Sequence, residues 1–286
     1  MWQQTFVGTD RGKFEIFTRG DGEPLCLTHL YSEFNELGAY FADEFTNSFK
    51  VILVNLRGVG SPCRVEGMDS LSMEQSVYDL EALRKALGYK KWAFAGHSTG
   101  GMLGLKYAIL APEFLTKIMV GGAAASNKYM EHPGSMYCPQ SPLNKRMKEI
   151  LTTLRASKDR DERIKVNVEW SNMSLYFPEK RDVYFKKPSS GKVVSERLDY
   201  SYNELPNYDL TSDLLNVDVP TFVYCGIHDA QCPYEFSEEI HSLLKNSRFF
   251  KYQYSNHFPF IEEKEEFNLM VRKFKDVCAN EWLSKG

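Results

Sequence analysis

Trp92-Ala93-Phe94-Ala95-Gly96-His97-Ser98-Thr99-Gly100-Gly101-Met102-Leu103-Gly104-Leu105 decides the reading of this chain. A short apolar run meets a G-x-S-x-G pentapeptide and then a stretch with helical spacing. A strand that turns sharply into a helix lifts a serine hydroxyl clear of the backbone, and glycines beside it leave room where a side chain would collide. The pentapeptide alone is weak. With Gly and Ser each near ~7% of residues, three fixed positions recur by chance in roughly one chain of this length in ten. The strand and helix patterns on either side sharpen it, and so does what lies downstream.

The run from Pro220 through Cys225 to Asp229 reads as an apolar strand ending in an acid. Phe249 to Tyr254 reads as a further strand, running into Ser255-Asn256-His257-Phe258 with the histidine on a loop. A serine hydroxyl is barely ionised near neutral pH, so a base within hydrogen-bond reach must take its proton as it attacks a carbonyl. His257 is the candidate base, because imidazole exchanges a proton readily at that pH. Asp229 is the candidate for holding the ring in the productive tautomer and offsetting the charge that forms on it. The oxyanion of a tetrahedral intermediate needs donors. The backbone N–H of Thr99 is one candidate, and that of Tyr31, just past the strand read at Leu25 to Leu30, is the other. The remaining histidines read as structural. His29 is expected to brace its loop and His97 to be a buried spacer, while His228 points away from Asp229, its neighbour on the strand.

The 286 residues carry a net charge of −3, which gives no reason to expect nucleic acid as a partner. Six cysteines are scattered without C-x-x-C pairs, and no zinc spacing appears among them. Reduced thiols, no signal-like N-terminus and no apolar run of membrane-spanning length make the expected setting cytoplasmic, away from membranes. The oligomeric state is open.

Residues 5–18 alternate like an opening hairpin. Short apolar runs then recur at Leu25 to Leu30, Val51 to Leu56, Trp92 to Ala95, Ile118 to Val120 and Thr221 to Cys225, most of them separated by helical patterns. That rhythm predicts an α/β protein with a mainly parallel sheet flanked by helices. Ser72 and Gln75 form a capping-box pattern ahead of the stripe Met73, Val77, Leu80, Leu83 and Leu87. A last helix is expected from Glu262 to Leu283. Between Ser126 and Leu210 the strand rhythm gives way to helical spacing at Leu143, Met147, Ile150, Leu151 and Leu154. Residues 126–210 are therefore expected to form a helical cap, or lid, on a core of residues 1–125 and 211–286. Residues 144–199 hold 14 Lys/Arg against 9 Asp/Glu, read as a solvated outer face, and Pro188–Lys192 reads as an exposed loop. Trp170 and Tyr137 are candidates for the pocket wall, and Glu169 is either a substrate-binding carboxylate or a surface charge.

At these residues the chain resembles the α/β-hydrolase superfamily. Asn55-Leu56-Arg57-Gly58-Val59-Gly60-Ser61 resembles its Asp-x-Arg-Gly-x-Gly-x-Ser loop. Gly96 to Gly101 resembles its elbow, Gly226 to Pro233 its acid loop, and Asn256-His257-Phe258 with Glu262 its histidine loop. The order Ser98, Asp229, His257 is also the order of that superfamily's triad. The resemblance implies an eight-stranded α/β-hydrolase fold with a helical cap, no cofactor, and a small-molecule or short peptide substrate. The arginine-glycine loop and cap are similar to the proline iminopeptidase branch, in which Glu169 would hold a free amino end. The Gly-His-Ser-Thr-Gly elbow is commoner among esterases, lactonases and haloperoxidase-like proteins, and the loop His29-Leu30-Tyr31-Ser32-Glu33 lacks the glycines of the branch's His-Gly-Gly-Pro-Gly. A serine at the elbow disfavours epoxide hydrolase and haloalkane dehalogenase chemistry, which this fold performs with aspartate. The expected activities are therefore cleavage of a small ester, lactone or amide, or release of N-terminal proline. A ligand-sensing protein with little turnover is the alternative of another class.

Overall fold

Alternate side chains along each apolar run part to opposite faces of a strand, and this alternation builds the two sides of the core. The computed structural model describes residues 1–60 and 62–277, so Ser61, Cys278 and Leu283 lie outside the described residues. The strands are β1 (Gln3–Thr9), β2 (Gly12–Arg19), β3 (Pro24–Leu27), β4 (Ser32–Glu33), β5 (Lys50–Val54), β6 (Trp92–His97), β7 (Leu115–Gly121), β8 (Lys192–Val193), β9 (Thr221–Gly226) and β10 (Ser247–Tyr252). Eight of them form one sheet in the order β1-β2-β5-β3-β6-β7-β9-β10. The expected hairpin is the antiparallel pair β1–β2, and β2 also runs antiparallel to β5. Every pairing from β5 to β10 is parallel, so those strands point their C-terminal ends to one edge. That edge is where ligands bind in open α/β sheets.

Ile52, Val54, Phe94, Ile118 and Val223 pack on one face of the sheet, and Val51, Leu53, Ala93, Met119 and Phe222 on the other. Helix Met73–Ala86 covers the first face with Val77, Leu80 and Leu83, all fully buried. Each such side chain stabilises the fold by about 1.5–3 kcal/mol. Helix Lys264–Asp276 covers the second with Phe267, Met270, Val271 and Phe274. The expected Glu262–Leu283 helix is broken near its start: a one-turn helix, Pro259–Glu262, precedes it, and Glu263 leaves the helical conformation between them, at φ −123° and ψ 55°; the expected end at Leu283 lies outside the described residues.

The capping box is half made. Ser72 Oγ accepts from Gln75 N at 3.2 Å, but the Gln75 side chain accepts from Arg11 instead of returning to Ser72. Glu204, from a distant helix, takes up the Met73 N–H at 3.0 Å. Next to this helix Arg57 grips the buried Asp79 with two hydrogen bonds of 2.8 and 2.9 Å, and Arg11 adds a third at 2.7 Å.

Between β7 and β9 lie helices Asn144–Ala156, Arg160–Met173 and Ser195–Glu204. Met147, Ile150, Leu154, Val166, Trp170 and Leu198 are buried in the same layer as Tyr31 and Ala124, so this region shares the core of the first face. Leu143 departs from the expected stripe: it precedes the helix and is exposed. Pro188–Lys192 is not a free loop either. Ser190 and Gly191 donate to Gly38 O and Glu33 O, and β8 pairs antiparallel with β4. Backbone groups there are satisfied by the core, a partnership that local composition does not encode. Among the described residues no helix is long and apolar enough to cross a membrane.

Candidate active site

Ser98 sits where β6 turns into helix Thr99–Leu110, with φ 57° and ψ −127°. It is the one non-glycine residue with positive φ among the described residues. Such strain costs on the order of 1–3 kcal/mol and persists only where packing enforces it. Gly96 permits the turn, since a Cβ there would lie 2.1 Å from Gly100 O. The Ser98 hydroxyl makes no hydrogen bond among the described residues. The Thr99 N–H is one of the first-turn amides that a helix leaves unpaired, at its positive end.

His257 and Asp229 meet after β10 and β9. His257 Nδ1 lies 2.8 Å from Asp229 Oδ2, and both residues are almost wholly buried. The other carboxylate oxygen accepts from Gln231 N and Cys232 N, each at 2.9 Å. The acid is thereby fixed in plane for one imidazole nitrogen. His257 Nε2 makes no hydrogen bond among the described residues, so it stands free to meet a hydroxyl. Two contacts bring the ring toward Ser98. A Cβ built on Gly122 would lie 2.9 Å from His257 Cε1, while Ser98 N donates to the adjacent Gly121 O at 2.8 Å. The His257 ring also stands 4.5 Å from that of His97, the residue before the serine.

This meeting depends on Gly226 at the end of β9. A Cβ there would lie 2.0 Å from Asn256 O and 2.3 Å from Ser255 O, both backbone atoms of the histidine loop. Gly226→Ala is expected to destabilise the protein by about 1–3 kcal/mol, because the loop carrying His257 must move away. Thermal denaturation measures the first effect and the catalytic rate the second. An unchanged melting temperature would show that the loop yields freely.

The spare histidines take structural places. His29 Nδ1 lies 3.0 Å from Ser32 Oγ and Nε2 lies 3.1 Å from Thr99 Oγ1, bracing its loop against the elbow. Desolvation pushes its pKa down to about 3, helped by the nearby His257 and Arg197, so it is neutral at physiological pH. His97 is buried against Tyr224, whose hydroxyl lies 2.9 Å from its Nδ1. His228 lies in the turn after β9 rather than on the strand, and stacks on Tyr176 at 4.3 Å. Tyr31 is buried with its phenol at the Thr99 hydroxyl, and its backbone N–H makes only a long 3.4 Å contact, to His29 Nδ1.

Of the three residues expected to bind substrate, Tyr137 comes nearest the acid loop. Its hydroxyl donates to Gln231 Oε1 at 2.7 Å, and Gln231 Nε2 donates to Ser174 Oγ. Burial pushes the phenols of Tyr31, Tyr129 and Tyr137 up, and that of Tyr202 up to about 12, so this aromatic group is neutral. Trp170 is buried one turn before Ser174, whose carbonyl accepts from His257 N, and its own indole N–H has no partner among the described residues. Glu169 is placed differently. Arg146 holds both its oxygens, at 2.6 and 2.7 Å, on a side chain 37% exposed, so it faces solvent as a surface charge.

The sequence reading missed Gln231, Ser174 and Arg197. Arg197 belongs to the Lys/Arg surplus that reads as a solvated face, yet it is 1% exposed. Its signal was helical spacing: Arg197, Ser201 and Leu205 fall on one buried stripe beside Leu198. Two surface clefts, of about 670 and 400 Å³, are lined by groups such as Arg19, Asp43 and Arg272, and Lys106, Tyr200 and Asn203. Neither includes Ser98, Asp229 or His257, and in the larger one Arg19 and Lys187 pair with Asp43 and Lys264 with Glu44.

A family model for the alpha/beta hydrolase fold matches residues 26–264. Epoxide hydrolase 3 of Xenopus tropicalis is 27% identical over 76% of this chain, which spans 62% of that protein's length. A proline iminopeptidase of Heyndrickxia coagulans is 22% identical over 96% of this chain and 99% of its own. Among solved structures, an alpha/beta fold family hydrolase from Bacillus anthracis str. Sterne superposes with a TM-score of 0.93 at 47% identity, covering 96% of this chain and 99% of that one. With its eight-stranded sheet and this span of similarity, the chain belongs to the alpha/beta hydrolase fold family and is a hydrolase of that superfamily.

Proposed function

We propose that this protein is a serine hydrolase that cleaves a small, uncharged carboxylic ester, lactone or amide through an acyl-enzyme. The observation that carries this reading is the buried 2.8 Å Asp229–His257 hydrogen bond beside a strained, half-buried serine at a helix N-terminus. In this reading His257 Nε2 takes the Ser98 proton as Oγ bonds to the carbonyl carbon. The carbonyl oxygen becomes an oxyanion held by the N–H groups of Thr99 and Tyr31. The bond to the leaving group then breaks as His257 returns the proton to it. Water, deprotonated by His257, repeats the sequence on the acyl carbon and frees Ser98. Asp229 holds the imidazole tautomer throughout. Residues 126–210 act as a cap over this site, with Tyr137 and Trp170 on the substrate side. The buried thiols of Cys26, Cys138, Cys225 and Cys232 fit a cytoplasmic setting.

Proline iminopeptidase and epoxide hydrolase are the activities named for two relatives. The first needs a carboxylate for a free amino end, and Glu169 is committed to Arg146 at the surface. For the second, Ser98 stands where epoxide-opening members of this fold use aspartate. Short acyl nitrophenyl esters and a proline arylamide assayed side by side separate the readings. Ester cleavage without arylamide cleavage is expected, with a fluorophosphonate probe labelling Ser98 and Glu169→Gln leaving the ester rate unchanged. Arylamide cleavage that disappears in Glu169→Gln would replace this reading with the peptidase one.

A further inference from the structure

The second oxyanion donor lies on a loop that lacks glycine, and its peptide is held from outside the sheet. Arg197, on helix Ser195–Glu204, inserts a fully buried guanidinium between that helix and the core. Its Nε donates to Leu30 O at 2.6 Å, its Nη1 to Leu71 O at 2.5 Å and its Nη2 to Ser76 Oγ at 3.3 Å. Among the described residues it makes no salt bridge. A buried cation that meets only neutral oxygens is costly, and burial pushes its pKa down to about 10. An arginine held at such expense merely to pack a helix is disfavoured, because an apolar side chain of similar volume packs as well or better.

What Arg197 grips is informative. Leu30 C=O and Tyr31 N–H belong to one planar trans peptide, so they point in opposite directions. A guanidinium that anchors the carbonyl fixes the direction of the N–H. It also polarises the peptide, because hydrogen bonds in a chain strengthen one another and more so in a low-dielectric interior. Neighbouring bonds lock the same segment. Val194 N donates to Tyr31 O at 2.9 Å, Ser32 and Glu33 pair with Val193 and Lys192, and Asn55 spans Phe34 N and O. The Arg197 charge is felt on the reacting side of the loop, where it helps to keep His29 neutral.

We propose that Arg197 is a positioning residue for the oxyanion hole: it orients and polarises the Leu30–Tyr31 peptide so that the Tyr31 N–H serves as the second donor. A cap residue thereby supplies the order that the missing loop glycines do not. The inference rests on the serine-hydrolase reading and adds to it that part of the catalytic apparatus is built by the cap helix.

The test uses Arg197→Met, which keeps volume without charge, and Arg197→Lys, which keeps charge without the fork. Each is measured on a nitrophenyl ester for kcat and KM, and for inhibition by an alkyl boronic acid, which becomes a tetrahedral anion on a reactive serine. A misplaced oxyanion donor costs about 10²–10³-fold in kcat. We expect a loss of that size in Arg197→Met, a parallel loss of boronate affinity and little change in KM. Arg197→Lys should fall between it and the wild type. Methylguanidinium should restore part of the rate to Arg197→Ala. A folded Arg197→Met with wild-type kcat and boronate affinity overturns the proposal. If Arg197→Met fails to fold, Arg197→Lys decides on the same two measurements. A wild-type protein that neither hydrolyses esters nor reacts with a fluorophosphonate overturns the hydrolase reading itself, and is recognised before any variant is made.

Discussion

Ser98→Ala is expected to lower kcat on a short nitrophenyl ester by at least about 10⁴-fold while the protein stays folded. In the proposed acyl-enzyme mechanism the hydroxyl is the group that forms the covalent bond, and no neighbouring side chain stands in for it. Because Ser98 Oγ holds no hydrogen bond among the described residues, its removal leaves no partner unsatisfied. A Ser98→Gly variant separates chemistry from strain. The backbone at φ 57°, ψ −127° suits glycine, so that variant loses the same activity yet should melt higher. Relief of about 1–3 kcal/mol of strain exceeds the ~0.5–1 kcal/mol that glycine adds in backbone entropy. Asp229→Asn should lose about 10⁴-fold as well, since an amide in that place favours the wrong imidazole tautomer. A Ser98→Ala protein that retained a substantial fraction of the rate would end the acyl-enzyme mechanism.

Asp79→Ala is expected to cost about 3–5 kcal/mol of stability, a large part of a typical domain's total. Asp79 is 1% exposed and accepts from Arg57 twice and from Arg11 once, joining helix Met73–Ala86 to the β1–β2 turn and to the loop after β5. Without it the Arg57 guanidinium, 8% exposed, keeps its charge in a place water does not reach. The Asp79 hydrogen bonds raise the Arg57 pKa above its ordinary value, consistent with a pair that favours the charged form. The double variant Arg57→Met with Asp79→Leu should recover most of the loss, because it removes both charges and refills the space. Equilibrium urea unfolding of the three proteins measures this. A single-variant loss no larger than that of an exposed ion pair would mean the site is wetter than its burial implies.

The same pair shows where reading the chain stops. Arg57 was legible as part of an arginine-glycine loop, but its partner lies 22 residues on, inside a helix whose stripe reads as apolar. Asp79 occupies a buried position that hydrophobic spacing skips. Gln75 fits a capping box and instead binds Arg11, because a strand turn packs closer to it than its own helix end does. Glu169 reads more readily as a surface charge on a helix than as an amine anchor, but its sequence neighbours leave both open. The choice turned on the distance to Arg146, 23 residues away on another helix.

The sequence by itself determined the sheet, the order of Ser98, Asp229 and His257 along it, and the helical character of residues 126–210. These follow from periodicity and from glycine placement, which act over a few neighbouring residues. The tertiary structure alone decided that Arg197 is buried on the Leu30 carbonyl, that Pro188–Lys192 is pinned to the loop after β3, and that Glu169 faces water. Those outcomes depend on how the helices of residues 126–210 settle on the sheet. A charged side chain's fate is set by the burial and the oxygens it meets there, and no local pattern carries that information.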